Sequence, residues 1–225
     1  MECDECNKLG RACPEHLIRI PILGSFACGK TSLRWCYMQN DGYEDMGAFT
    51  IDTGSIAETN SFEYAMYSQT YTIQLIDTMG NEKYGRVTDR VLTCDGCVFV
   101  ASYDNPNSLD NLATEKAKVS FTAQVRGKTV TRKPPYIMVC MKSDLPDPEE
   151  DQEEDPDNPT KQFTPTQFVE TCSAFQDPQK VGVFDEVNVM TDEGKDVMND
   201  MFEKIIQAAI STHREWYLEE HPAPK

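Results

Sequence analysis

The sequence predicts a three-layer α/β fold: a six-stranded, mostly parallel sheet with one antiparallel edge hairpin, and helices on both faces. Three observations carry this. Short apolar runs alternate with helix-like stretches, as in parallel strands joined by right-handed crossovers. A glycine-bracketed segment, Gly24-Ser25-Phe26-Ala27-Cys28-Gly29-Lys30-Thr31, links the first apolar run to the first helical stretch. Near the end, Val197, Met198, Met201, Phe202, Ile205, Ile206, Ala209 and Ile210 recur at helical spacing and supply a helix with one apolar face.

The elements follow in order. Residues 3–16 hold Cys3-x-x-Cys6 and Cys13-x-x-His16. Two-residue gaps place two donors on one ion, so residues 1–16 are an N-terminal Cys/His segment whose spacing resembles a short zinc knuckle with a structural Zn²⁺. The alternative is a frayed tail of reactive thiols. Leu17–Leu23 is a strand, although Pro21 cannot donate to a sheet ladder. Thr31–Asn40 is a helix and Asp41–Gly54 a polar loop. Phe62–Tyr67 and Tyr71–Ile76 alternate as a hairpin turning about Ser68-Gln69. Cys97–Tyr103 and Tyr136–Cys140 are continuous apolar strands, with a helix over Ser108–Val125 between them. Thr164–Gln176 is a helix, Thr164 its N-cap and Pro165 in its first turn. Val183–Val189 is the sixth strand and Gly194–Ser211 the last helix. The main domain therefore spans 17–212, with an acidic insertion at about 145–163 and a polar tail at 213–225.

The bracketed segment matches G-x-x-x-x-G-K-[ST]. Glycines let successive backbone N–H groups converge on a phosphate, the helix N-terminus adds a favourable field, and Lys30 adds a mobile positive charge. Thr31 offers a hydroxyl to Mg²⁺. The segment resembles the phosphate loop of P-loop NTPases. Two further groups follow strands: Asp77-Thr78-Met79-Gly80 and Met141-Lys142-Ser143-Asp144. In order and spacing the three resemble the Ras-like small GTPases over residues 17 to about 212. Gly96–Val100 running to Asn107-Ser108-Leu109 resembles the same family.

The resemblance implies a guanine-nucleotide site made of Gly24, Ser25, Phe26, Ala27, Cys28, Gly29, Lys30, Thr31, Asp77, Gly80, Met141, Lys142, Asp144, Asn188, Val189 and Met190. It implies GTP or GDP and Mg²⁺ as cofactors, with Thr31, Asp77 and a switch-loop hydroxyl on the metal. Counting from either side leaves Thr50, Thr53 or Ser55 for that hydroxyl. Ser55 is preferred because the hairpin between it and Asp77 then needs no gap. Asp144 would accept from the base N1–H and 2-amino group, donors that adenine lacks in that arrangement. Cys172-Ser173-Ala174 also looks like the last guanine motif, but the apolar segment after it makes Asn188-Val189-Met190 the better match, with Thr191–Gly194 continuing as in the Rho family.

Several positions depart from the pattern. Phe26 stands where the family has glycine, at a place where bulk obstructs the attacking water and an incoming arginine. Asn81 replaces the water-orienting glutamine and is one methylene shorter. Met141 replaces the Asn or Thr that braces the guanine loop, and Met190 the residue near the base oxygen; Met donates no hydrogen bond. Phosphate and Mg²⁺ groups are thus intact while the hydrolysis groups are impaired. The leading expectation is a GTP-binding switch with slow intrinsic hydrolysis that engages effector and regulator proteins. The alternative is a pseudo-GTPase interaction scaffold, and an ATP-type P-loop enzyme is disfavoured by Asp144.

Composition narrows the rest. The formal net charge of −17 argues against nucleic acid or anionic lipid as a partner of the whole surface. The run Asp147–Asp157 is a solvated loop. No apolar run is long enough to span a membrane. Glu2 excludes N-myristoylation and the last cysteine, Cys172, excludes a C-terminal prenyl box, so a cytoplasmic, unanchored protein is expected. Nine cysteines in such a chain read as thiols or metal ligands. Cys94-x-x-Cys97 reads as core packing.

Overall fold

The structure, a computed structural model, describes residues 16–40, 49–50, 57–78, 93–125, 127–147 and 160–220. Its strands are β1 (Leu17–Gly24), β2 (Phe49–Thr50), β3 (Ala57–Met66), β4 (Gln69–Thr78), β5 (Cys97–Ser102), β6 (Phe121–Val125), β7 (Lys128–Arg132), β8 (Tyr136–Met141) and β9 (Lys180–Val187). Its helices are α1 (Lys30–Asn40), α2 (Pro106–Lys118), α3 (Pro165–Ser173) and α4 (Asp192–Glu220). The main sheet has the order β2-β3-β4-β1-β5-β8-β9. Six long strands form it, and the two-residue β2 extends its antiparallel edge. From β4 to β9 every neighbouring pair is parallel, and β3 runs antiparallel to β4. The predicted three-layer P-loop fold is the one observed.

Alternation in the strands splits the core into two layers. Ile18, Ile20, Ile22, Val98, Val100, Ile137 and Val139 face Leu33 and Tyr37 of α1 and the apolar stripe of α4. Cys97, Phe99, Ala101, Met138 and Cys140 face Leu112 of α2 and Phe168 and Cys172 of α3. Cys94 and Cys97 are buried free thiols, as the packing reading expects.

Pro21 sits in a central strand without breaking it. The Arg19 N–H donates to Asp95 Oδ2 (2.8 Å) and the Arg19 carbonyl accepts from the Asp95 N–H (2.9 Å), so its backbone faces the β5 side. Two residues on, Pro21 faces the same way, just ahead of the β1–β5 ladder, whose register begins at Ile22 opposite Val98. The missing donor falls where no ladder bond is required.

The β3–β4 turn is Tyr67-Ser68, with φ of 53° and 58°, one residue earlier than expected. Two positive φ values are the two-residue hairpin geometry, usually given to Asn or Gly. Here contacts with α4 hold it: the Tyr67 hydroxyl lies 3.1 Å from Ser211 Oγ, and the Arg214 guanidinium stands 4.2 Å from the Tyr67 ring centroid.

Three expectations need correction. The helix expected over Ser108–Val125 ends at Lys118, and Phe121–Arg132 forms a separate two-stranded sheet, β6–β7. Its β-branched residues flank Gly127, whose φ of 75° suits a hairpin turn, and together these outweigh helical periodicity here. The sixth strand runs Lys180–Val187, not Val183–Val189. The last helix does not stop at Ser211: it continues to Glu220, so most of the expected tail is helical. The extension is tied down. His213 Nδ1 lies 2.7 Å from Asp95 Oδ1, and Arg132, 5% exposed, pairs with Glu219 at 2.7 Å and stands 5.1 Å from the Trp216 ring centroid. Among the described residues no helix is long and apolar enough to cross a membrane.

At α3 the expected N-cap and first-turn proline hold, while the helix ends at Ser173 and not at Gln176. Thr164 Oγ1 accepts from the Gln167 N–H (3.2 Å), and the Gln167 side chain accepts from the Thr164 N–H (2.7 Å), a reciprocal capping box.

Candidate functional site

In a parallel sheet the carboxyl ends of the strands share one edge, and the candidate residues gather there. Gly24 ends β1, Asp77 lies one residue from the end of β4, Asp104 follows β5, Lys142 follows β8 and Asn188 follows β9.

The loop after β1 is built by backbone constraint. Gly24 has φ 154°, and a Cβ there would stand 2.2 Å from the Val100 carbonyl oxygen, so the strand neighbour excludes any side chain. Gly29 has φ 92° and Ala27 φ 60°. A left-handed alanine costs roughly 1–2 kcal/mol, which the surrounding bonds offset. The Cys28 thiol donates to the Ser25 carbonyl (2.9 Å), and burial pushes its pKa up against the pull of Lys30, keeping it a thiol. Asn111 of α2 donates to Ser25 Oγ (3.1 Å). Lys30, 5% exposed, donates from Nζ to the carbonyls of Gly24 (2.9 Å) and Ser25 (2.6 Å). The Leu33 N–H to Gly29 carbonyl bond (2.8 Å) starts α1. Phe26 is 70% exposed at the loop tip, beside an open hollow of about 270 Å³ lined by Phe26, Ala27, Gly29, Lys30, Thr31 and Ser32.

The Thr31 hydroxyl donates to Asp77 Oδ2 at 2.5 Å. Asp77 is 1% exposed, and its other oxygen, Oδ1, is buried with no hydrogen-bond partner. A buried carboxylate oxygen without a partner is costly unless a cation belongs beside it. The pair therefore fits a hard divalent ion taking oxygen ligands. Thr78 Oγ1 fixes the end of β4 by donating to the Ile22 carbonyl (2.7 Å).

After β8 Lys142 has φ 64° and pairs with Asp104, which also accepts from the Ser102 hydroxyl. Asp144 lies exposed in the turn closed by the Leu145 N–H to Lys142 carbonyl bond (3.3 Å). Met141 is buried; a Cβ on Gly29 would meet its side chain at 3.3 Å, so it braces the phosphate loop by packing and not by hydrogen bonding. After β9 Asn188 Oδ1 accepts from the Met190 N–H (2.8 Å), Val189 packs on the core and Met190 is 81% exposed. Thr191 Oγ1 accepts from the Gly194 N–H (3.2 Å), capping α4.

Gly80, Asn81, Thr53, Ser55, Cys3, Cys6 and Cys13 lie outside the described residues, and so does most of the acidic insertion. His16 is described and meets the Tyr71 ring edge-on at 5.4 Å. Thr50 is placed in β2. Among the described residues no group of three or more His, Cys, Asp or Glu side chains forms a metal cluster.

Asn111 and Asp104 escaped the sequence reading. Asp104 had a usable signal, an acid directly after an apolar parallel strand. Asn111 had none, because its role depends on α2 crossing the loop.

A phosphate loop closed by its lysine, with a threonine–aspartate pair beside it at the carboxyl edge of a parallel sheet, defines a P-loop nucleotide-binding domain. A family model described as "Ras family" matches residues 19–192, and the chain belongs to that family. It is 29% identical over 143 residues to the Ras-related protein Rab-7b of Bos taurus, a match covering 60% of this chain and 64% of that relative.

Proposed function

We propose that this chain is a guanine-nucleotide-binding molecular switch of the small-GTPase type, Mg²⁺-dependent, with slow intrinsic GTP hydrolysis. The observation that carries it is the Thr31–Asp77 pair, with Asp77 Oδ1 buried and unpartnered. Thr31 and Asp77 would hold Mg²⁺, with the Ser55 hydroxyl the preferred third ligand. When bound, the ion neutralises charge on the phosphate oxygens. Lys30 would exchange its carbonyl partners for phosphate, the loop N–H groups would bind phosphate oxygens, and Asp144 would select guanine. Phe26 at the loop tip and Asn81 at the water-orienting position account for slow hydrolysis. A switch of this kind works by ordering and releasing loops that effector and regulator proteins read, here in the cytoplasm.

Denaturing the purified protein and identifying the released nucleotide tests binding. Bound GDP or GTP is expected, and tighter binding of ATP than GTP in competition overturns the guanine assignment. Single-turnover hydrolysis tests the rate. Turnover that an arginine-supplying activator accelerates strongly contradicts the role given to Phe26.

A second reading, a scaffold that binds nucleotide weakly or not at all, is favoured by Met141 and Met190, which bring no hydrogen-bond donor to the base loops. A stable protein purified empty, whose melting temperature ignores GTP and Mg²⁺, supports it.

A further inference from the structure

β6 and β7 pair with each other alone: they form a two-stranded sheet, and among the described residues no backbone hydrogen bond joins either strand to another element. Such a ribbon carries N–H and C=O groups along its outer edges, the template that an added strand uses.

The register decides which groups are offered. Val125 pairs with Lys128 across two intervening residues, so these two exchange backbone bonds and the pattern alternates from there. Phe121, Ala123 and Val125 bond to β7, whereas Thr122 and Gln124 turn their N–H and C=O away from it. The ribbon is held at its base. Arg132, buried and paired with Glu219, stands beside the Trp216 ring. Ala123 and Val130 lie opposite each other on the face that carries Arg132, and both are half-buried. Thr122, Thr129 and Thr131 occupy the other face and are exposed.

The charge of this segment runs against that of the chain. Residues 116–133 carry six Lys or Arg and no Asp or Glu, while the net charge is −17. Lys116 and Arg132 are committed to Asp177 and Glu219, but Lys128 and Lys133 are exposed, one at the turn and one just past the base of the ribbon. Surface charges farther apart than roughly 8–10 Å are largely screened, so a short segment lying on the ribbon meets this positive field and not the distant acids. A nucleic acid or an anionic bilayer would extend over the acidic remainder of the surface and be repelled by it.

We propose that β6 accepts an extended acidic segment of a partner protein as a third strand, its backbone pairing with Thr122 and Gln124 and its carboxylates lying in the field of Lys128 and Lys133. A two-stranded ribbon is marginally stable in water, and a third strand stabilises it. The surface lies outside the nucleotide groups, so the proposal stands whether or not nucleotide binds.

The probe is a capped peptide of alternating Glu and Thr, about six residues long as strands usually are, titrated into the full chain and followed by backbone amide NMR. Its comparator has Gln in place of every Glu. Saturable shifts centred on Thr122 and Gln124 are expected, with slower amide exchange at both when the peptide is bound, and the Gln comparator should bind at least tenfold more weakly. Thr122→Pro removes an outward N–H that the β6–β7 pairing does not use; it should weaken the peptide at least tenfold while the β7 amides keep their protection. Lys128→Glu leaves the backbone untouched and should weaken the peptide at least threefold. The proposal is overturned if the shifts do not saturate or centre on Phe26–Ser32, or if the Gln comparator or the Lys128→Glu variant binds as well as its counterpart. It is overturned equally if a heparin fragment or anionic vesicles bind the ribbon more tightly than the peptide, which makes it a polyanion surface.

Discussion

Thr31 and Asp77 meet across the sheet edge: the threonine hydroxyl donates to one carboxylate oxygen at 2.5 Å, and the other oxygen is buried with no partner. The bond ties the first turn of α1 to the end of β4. Asp77→Asn keeps the shape and an acceptor for Thr31 but removes the charge a divalent ion needs. Chelating Mg²⁺ should speed release of a fluorescent guanine nucleotide from the wild type at least tenfold and leave the variant's rate nearly unchanged. A variant that stays chelator-sensitive shows that the metal is held elsewhere.

Phe26 projects from the phosphate loop and is 70% exposed, so the fold gains little from it. Phe26→Gly should leave the melting temperature within a few degrees and open the path to the attacking water. An arginine finger is worth about 10³–10⁵ in GTPase rate. The double variant Phe26→Gly/Asn81→Gln should recover at least a hundredfold of that with an arginine-supplying activator, measured by single-turnover phosphate release. No gain in the double variant removes Phe26 and Asn81 as the cause of the slow hydrolysis proposed.

How far the sequence reaches depends on whether a feature is local. The phosphate loop, the N-cap at Thr164 and the buried parallel strands are set by short-range chemistry, and all were legible. The rejected motif Cys172-Ser173-Ala174 shows the same thing: the strand after it was visible as an apolar run, and Ser173 ends α3. Long-range partners were not legible. Periodicity carried the helix reading past Lys118 into β6, because a two-stranded sheet on α4 leaves only turn and β-branched signals behind. The polar composition after Ser211 read as a tail, although His213, Trp216 and Glu219 find partners far away in sequence. Asn111 and Ser25 meet for the same kind of reason.

Gly194 makes the α4 start and the Asn188–Met190 turn inseparable. A Cβ there would stand 2.0 Å from the Asn188 carbonyl oxygen, inside the backbone of the Asn188–Met190 turn. Gly194→Ala must push that turn outward. Guanine-nucleotide affinity should fall at least tenfold, with a smaller loss of thermal stability, as read by calorimetry and melting. Unchanged affinity separates the Asn188–Met190 turn from nucleotide recognition.

The helical extension of α4 is integral to the domain. Cutting the chain after Thr212 removes the His213–Asp95 contact and the Arg132 contacts with Trp216 and Glu219. Arg132 would lose these partners and the ring beside it and gain solvent, a change costing about 1–2 kcal/mol. Denaturant unfolding should show the truncated chain less stable by that order, and β6–β7 amides should lose exchange protection first. Equal stability of the two chains contradicts this role.

Asp177 sets an acid-dependent contribution. Despite burial, the Lys116 hydrogen bond and the neighbouring positive charges lower its pKa from the ordinary 3.8. A lowered folded value means that the group binds its proton less readily when folded, so its stabilisation is fully present above the ordinary value. It disappears as pH falls through the lowered one. Asp177→Asn should therefore be less stable than wild type near neutral pH, and the two should converge in strong acid. Urea unfolding at about pH 7 and about pH 2.5 gives the comparison. Lys116 is left without its acid in the variant at both pH values, so a difference that persists at low pH would assign the loss to packing around Lys116 and not to the charge of Asp177.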